Sequence, residues 1–391
     1  MRRNFKKIMS LMLLCALFMT TLLTGCSSNS KTDNINEKKH KIGVALYTDT
    51  GKAVEAIKAF LGGISKDINT EFIYTTLTVY DEATNKSKIQ QLISAGAEGI
   101  IMTADMGTVS ILQECEKAGV YLGGFLCDYN LSYNTAFDKV FKNKYFVGTV
   151  ADGKIDLSDW GKIVAEDVIK KGYKNIGVLT FPEYAYPNQK KVDETFRTVI
   201  NEYNKTADAS KKINVIPTQV LEFKPLDSTY LTKNANLDAI FSIAAGAINV
   251  YPTLVASGKT NIKLYTSGFE GKDDAANFGS LGNRSFQQII FSSPEAIVYP
   301  LVQLIDKLNG KSYSDAPAVS ERVDSGLMII SNDKEMETVK TKSIYYTANF
   351  RDSFLTSQDV RNLCVSYNKD ATYAKLIETV KSLTVDNLMK K

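Results

Sequence analysis

Short apolar runs and amphipathic helical stretches alternate through most of this chain, and that rhythm restricts the fold more than any other feature. "KIGVALYT" (41–48) has the continuous apolar pattern of a strand buried on both faces. "GKAVEAIKAFLGGISKDI" follows, with Val54, Ile57, Phe60, Leu61 and Ile64 at the three-and-four spacing of one helix face. Then come "EFIYTTLTVY", the helical "KSKIQQLISAG", "EGIIMTA", the helical "VSILQECEKAG" and "VYLGGFLC". Four strands with three intervening helices make βαβ units, so the expected sheet is parallel and covered on both faces.

The rhythm resumes after an irregular middle (128–156). "DWGKIVAEDVIKKG" is helical, "KNIGVLTF" a strand and "QKKVDETFRTVINEY" helical. "INVIPTQVLEF", "LDAIFSIAA", "IKLYTSGF" and "FQQIIFS" then read as strands. A length of 391 residues exceeds what one hydrophobic core usually serves. Two α/β lobes of similar size, meeting near residue 150, are therefore predicted. "PEAIVYPLVQLIDKLNGK" reads as a helix stopped by Gly310, and 349–391 reads as a helical extension.

The N-terminus has the three parts of a secretory signal: basic "MRRNFKK", an apolar run over 8–22, and "LTGC" ending at Cys26. The apolar run is short for a spanning helix, which needs about 20 residues. Leu23-Thr24-Gly25-Cys26 resembles the bacterial lipobox, whose cysteine becomes the lipid-modified N-terminus. That resemblance implies a signal peptide over 1–25, a polar tether over 26–40 and two acyl chains on Cys26, enough for stable membrane anchoring. Of 47 basic residues, Arg2, Arg3, Lys6 and Lys7 leave with the signal and no acidic residue does, so 43 basic face 43 acidic in the mature chain. A neutral chain has no electrostatic footprint for nucleic acid.

Of the five cysteines, Cys15 would leave with the signal and Cys26 would carry the lipid that the lipobox resemblance implies. Cys115, Cys127 and Cys364 remain, an odd number without metal or CxxC spacing, and read as buried free thiols. His40 is the single histidine and falls in the tether, which excludes a Ser-His or Cys-His pair and a multi-histidine metal site from the folded part. No cofactor is implied either. "TDTGKAVE" lacks the upstream glycine and following Ser/Thr of a phosphate loop and reads as a helix start. "GSLGNRS" reads as a surface turn.

The order of the pieces resembles the type 1 periplasmic binding proteins, the solute receptors of ABC importers, particularly their sugar-binding branch. The stretches that carry the resemblance are "QLISAGAEGIIMTA", "KGYKNIGVLTF", "YTSGFEG", "FSSPEAIVYPLVQLIDKLNGK" and "ERVDSGLMIISND", spanning roughly 41–333. The resemblance implies two Rossmann-like lobes with parallel sheets, a three-crossing hinge and a ligand held between the lobes. The implied division is 41–152 with 294–312 for the N-terminal lobe and 153–293 with 313–348 for the C-terminal lobe.

In open parallel sheets, ligands sit outside the carboxyl ends of the strands. The residues there are Tyr47 and Asp49 after the first strand, Asp105 after the third, and Asp128, Tyr129 and Asn130 after the fourth. In the second lobe they are Glu183, Tyr184 and Tyr186, and then Glu270, whose position the resemblance also supports. Carboxylates accept hydrogen bonds from hydroxyl or ammonium groups, and tyrosines cover apolar faces of sugars or bases. The chain departs from the sugar-receptor pattern at Ala244-Ala245-Gly246-Ala247, where Asn-Asp is usual, and at Ser292, where Gln is usual. Arginine is scarce, and none of Arg197, Arg284, Arg322, Arg351 and Arg361 falls at a predicted strand end.

These features imply a monomeric, lipid-anchored receptor on the extracellular face of a bacterial membrane. It captures a small polar solute, sugar or nucleoside-like, and passes it to an ABC permease. The alternative is a ligand sensor for a receptor kinase or chemoreceptor. A third class, a glycosidase using Asp105, Asp128 and Glu270, has no motif that singles out an acid–base pair, so no catalytic residue and no enzymatic activity are expected.

Overall fold

The computed structural model describes residues 38–78, 81–151, 158–279 and 284–391. The signal, Cys26 and most of the tether therefore lie outside the described residues, as do the expected first crossing near residue 152 and the centre of "GSLGNRS". Residues Lys39–Lys391 form one compact unit.

The early strands are β1 (His40–Leu46), β2 (Thr70–Thr76), β3 (Gly99–Met102), β4 (Tyr121–Phe125) and β5 (Phe146–Ala151). Next come β6 (Asn175–Thr180), β7 (Asn214–Val215), β8 (Gln219–Val220), β9 (Ala239–Ser242), β10 (Lys263–Ser267) and β11 (Phe286–Ser292). The last are β12 (Arg322–Asp324) and β13 (Leu327–Ile330). They make two sheets. The first has the order β12-β5-β4-β3-β1-β2 and is parallel throughout. The second runs β13-β11-β10-β9-β6-β7, with β8 also on β6 and only β13 antiparallel.

Each sheet is covered on both faces, which is why its central strands are apolar without alternation. On the first sheet, helix Lys52–Ile64 and the return helix Val298–Leu308 pack one face. Helices Glu82–Ser94 and Thr108–Ala118 pack the other. On the second, helices Ser158–Lys171 and Asn188–Thr206 pack one face and helix Asp333–Lys342 the other. The return helix ends at Leu308, and Gly310 follows with φ 65°, the left-handed stop expected from its sequence.

Four sequence expectations need correction. The irregular middle contains β5, "FVGTVA", all six residues buried. Gly148 interrupts its apolar run, and the φ of 108° there and the close Tyr299 hydroxyl require that glycine. His40 is not in the tether: it opens β1, is buried, and meets Asn309 through Nε2 at 3.1 Å. Residues 313–348 do not all belong to the second lobe, because β12 pairs with β5 of the first sheet. The fourth correction concerns 349–391, which is core material rather than an appendage. Val360, Leu363, Leu376, Val380 and Leu383 are buried in the first lobe's core, while Val385 and Leu388 are buried in the second's.

The lobes are consequently joined more than three times. Among the described residues the chain crosses at Ser293, between β11 and the return helix, and at Ser325 and Gly326, between β12 and β13. These accompany the link between β5 and helix Ser158–Lys171. The C-terminal part then adds two more. It passes from helix Asp333–Lys342 to Ile344 and Phe350 on the first lobe, and from Leu383 back to Val385 on the second.

Candidate ligand site between the lobes

Strand-end residues of the two sheets meet each other directly. Asn130, after β4, donates its Nδ2 to Asn188 Oδ1, beyond β6, at 2.8 Å. Tyr133 Oη donates to the Tyr184 carbonyl at 2.8 Å. At the other flank, a Cβ placed on Gly51 would lie 3.5 Å from Glu270 Oε2, and the Lys52 side chain lies against Gly271. The carboxyl edges of both sheets thus bound one gap.

On the first-lobe side an arginine organises the acids. Arg322 Nε donates to Asp128 Oδ1 at 2.8 Å, with Nη2 2.7 Å from the same oxygen. Its Nη1 bonds Asp324. Only 11% of the Arg322 side chain is exposed. Asp105 receives the Tyr129 backbone N–H at 3.3 Å. Loss of hydration pushes its carboxyl up to about 6, against the opposing pull of hydrogen bonds from Cys127, Tyr129 and Asp128 and of the Arg322 charge. In the sequence alone no strand is visible at Arg322. Its place follows from β12 joining the first sheet, so the residue at a strand start reaches the fourth strand's carboxyl end.

On the second-lobe side, Glu270 stands at the end of β10, and partial loss of hydration raises its carboxyl above the ordinary range. Its backbone N–H donates to Asp274 Oδ2 at 2.6 Å. Asp274 is buried, which pushes it up to about 7; the Glu270 and Gly271 amides oppose that shift, and the Glu270 and Asp273 charges add to it. The buried Tyr345 hydroxyl is held well above its usual range, first by loss of hydration and then by Tyr47, Glu270 and Asp274. Residues from both lobes therefore converge there. Sequence reading missed Asp274, whose signal was an acidic residue opening the short helix after β10. It missed Tyr345 as well, because a crossing segment has no periodicity.

The predicted site residues divide three ways. Tyr47, Asp105, Asp128 and Glu270 follow the carboxyl ends of β1, β3, β4 and β10. Asp49 is exposed on the loop beyond Tyr47, whose own N–H bonds Thr103 Oγ1 at 2.7 Å. Tyr184 and Tyr186 are 56% and 40% exposed and belong to an aromatic group with Phe181 and Phe223, the latter two stacked at 4.8 Å. Tyr129 borders the cavity at the Arg322 flank but is only 1% exposed, its ring packed on Phe137, Phe141 and Phe146 within the first lobe. A left-handed φ of 43° turns it inward from the strand end. At the Ala244–Ala247 departure, a Cβ on Gly246 would lie 2.7 Å from Thr266 Oγ1, so close packing takes the place of polar side chains.

A cavity of about 1030 Å³ opens at the Arg322 flank, lined by Asn130, Tyr133, Asn188, Glu321, Arg322 and Asp324, with Ile377 and Lys381 from the C-terminal part. Among the described residues no three His, Cys, Asp or Glu side chains are placed to hold a metal ion, and no helix is long and apolar enough to cross a membrane.

No family model matches this chain, and no curated protein sequence does. Solved structures are similar. An ABC transporter solute-binding protein from Agrobacterium vitis bound to α-D-tagatopyranose matches with a TM-score of 0.58 at 14% identity, covering 78% of this chain and 96% of its own. One from Actinobacillus succinogenes with bound D-allose gives 0.57 at 15%, covering 76% and 99%. A sugar transporter from Clostridium phytofermentans gives 0.53 at 15%, covering 76% and 100%. The chain therefore has the two-lobe α/β fold of type 1 periplasmic binding proteins, and each match leaves about a quarter of it uncovered.

Proposed function

We propose that this protein is a solute-binding component of an ABC importer, anchored by a lipid on Cys26 to the outer face of the cell membrane. Its ligand is a small polar molecule, carbohydrate-like or nucleoside-like, taken between the lobes and released to a permease. The observation that carries the reading is the meeting of both sheets' carboxyl edges across one gap, through the Asn130–Asn188 and Tyr133–Tyr184 contacts. The sugar-bound neighbours of the same fold support it.

The proposed ligand-contacting groups are Tyr47, Asp49, Asp105, Asp128, Glu270, Tyr184 and Tyr186, joined by Arg322. Carboxylates accept from hydroxyls, the guanidinium donates, and the exposed tyrosines offer ring faces. Closure on ligand requires that the closed form bind it better than the open one. The role is binding rather than catalysis, with one copy of the chain sufficient.

Isothermal titration of the protein against D-allose, D-tagatose, D-ribose, D-galactose and a set of nucleosides tests the reading. Binding with a fall in radius of gyration is expected. No heat from any member, with no compaction, overturns it. Incorporation of labelled palmitate, lost in Cys26→Ser, tests the anchor separately.

A further inference from the structure

We propose that the C-terminal extension is a latch that sets the angle between the two lobes, with helix Val385–Lys390 as its catch. The extension divides its core residues between the lobes. Helices Ser357–Leu363 and Tyr373–Lys381 bury Val360, Leu376 and Val380 in the first lobe, and helix Val385–Lys390 buries Val385 and Leu388 in the second. Only Thr384 separates Leu383 in one core from Val385 in the other. The two chain steps from Leu383 to Val385 span at most about 7 Å, and Thr384 between them is already extended, with φ −132° and ψ 158°. A rotation of the lobes that lengthens this path must therefore pull one of the two side chains from its core.

The extension also grips the hinge. Gly326, between β12 and β13, donates its N–H to the Val380 carbonyl at 2.8 Å. A Cβ on Gly326 would lie 2.5 Å from Leu383 O and 2.7 Å from Lys381 O, so the extension's backbone lies directly on this crossing. Hinge bending needs freedom of φ and ψ at such residues, and here an intramolecular hydrogen bond holds them. The crossing at Ser293 is gripped as well. Buried Glu295 receives the Phe354 N–H at 2.8 Å and the Ser353 hydroxyl at 3.2 Å. Lys391 Nζ then donates to the Ser353 and Phe354 carbonyls at 2.6 and 3.0 Å, bringing the chain's last residue back to the same point.

The grip reaches the cavity. Tyr373 Oη lies 2.7 Å from Tyr299 Oη and 3.3 Å from Glu321 Oε2, beside Arg322, and Ile377 and Lys381 form part of the cavity wall. An angle set by the extension is thus also a width set for that wall.

The test needs no ligand, so its failure is separate from failure of the transport reading. The unit Lys39–Lys391, a form ending at Leu383, and the double variant Val385→Ala/Leu388→Ala are compared by small-angle scattering and hydrogen exchange, with circular dichroism to check folding. The latch predicts a larger radius of gyration on truncation, and exchange at the Gly326 amide faster on the order of tenfold. The double variant should move both in the same direction by less. Unchanged scattering and unchanged Gly326 exchange in a folded truncation overturn the proposal. If the truncation does not fold, the double variant decides by the same two readings.

Discussion

In the first lobe the strand-end residues are drawn into a charge network: Arg322 holds Asp128 and Asp324, and Asp105 sits within reach of its field. In the second lobe they are exposed rings, with Tyr184 and Tyr186 beside Phe181 and Phe223, and a carboxyl pair, Glu270 and Asp274, with no arginine among the described residues shifting Asp274. The first mouth is organised before any ligand arrives. The second keeps apolar faces in water and an acid under strain, both of which a ligand can relieve. Under the proposed binding role, the first lobe would orient polar groups of the ligand and the second would cover apolar ones.

The largest expected effect tests the unbalanced acid. Because burial raises Asp274 to about 7, the folded state favours its protonated form, so its stability is full below the unfolded value, about 3.9, and declines as pH rises through 7. Asp274→Asn keeps an oxygen for the Glu270 amide and removes the charge. It should stabilise the protein by as much as about 4 kcal/mol at pH 9 and not at pH 4. Urea unfolding at the two pH values reads this, and an equal effect at both would erase the contrast between the mouths.

Next is Arg322→Ala, which leaves Asp128 and Asp324 without their cation. A loss of about 3 kcal/mol is expected from such a largely buried pair, with Arg322→Lys recovering only part because it cannot fork between two acids. A cost below about 1 kcal/mol would place the arginine among ordinary surface ion pairs.

The contact that joins the two mouths is smaller. A double-mutant cycle on Asn130→Ala and Asn188→Ala should give a coupling near 1 kcal/mol, and zero coupling would mean that the lobes do not rest on this bond in solution. Smallest in stability is Tyr184→Ala, within about 0.5 kcal/mol of the parent. If its ring covers a ligand, affinity for the best carbohydrate or nucleoside in the titration should fall about fivefold. An unchanged affinity would remove the second mouth's apolar role.

The sequence showed the sheets well wherever a strand was continuous and followed by a periodic helix, as in β1, β3, β6 and β10. It hid β5, where Gly148 broke the run, and β12, a three-residue strand inside a crossing. The site was legible at the level of which loops carry it, because strand ends follow from strands. Where a side chain points was not legible. Tyr129 and Asp128 are neighbours, yet a left-handed φ at Tyr129 puts one ring in the core while Asp128 faces an arginine 194 residues away. Partners so distant leave no local pattern. The extension was hidden for a related reason, since its short helices carry ordinary amphipathic spacing and nothing local says that they serve two cores.

The three thiols sit at informative places. Cys115 and Cys127 are enclosed on one face of the first sheet, and Cys364 lies within the extension on the other. Burial pushes Cys115 up to about 12 and the other two well above the ordinary thiol range, so none meets an alkylating reagent while its surroundings hold. They act as three built-in clocks. In dilute denaturant, the order in which they are modified reports whether the extension peels away first or the lobe comes apart as a single piece.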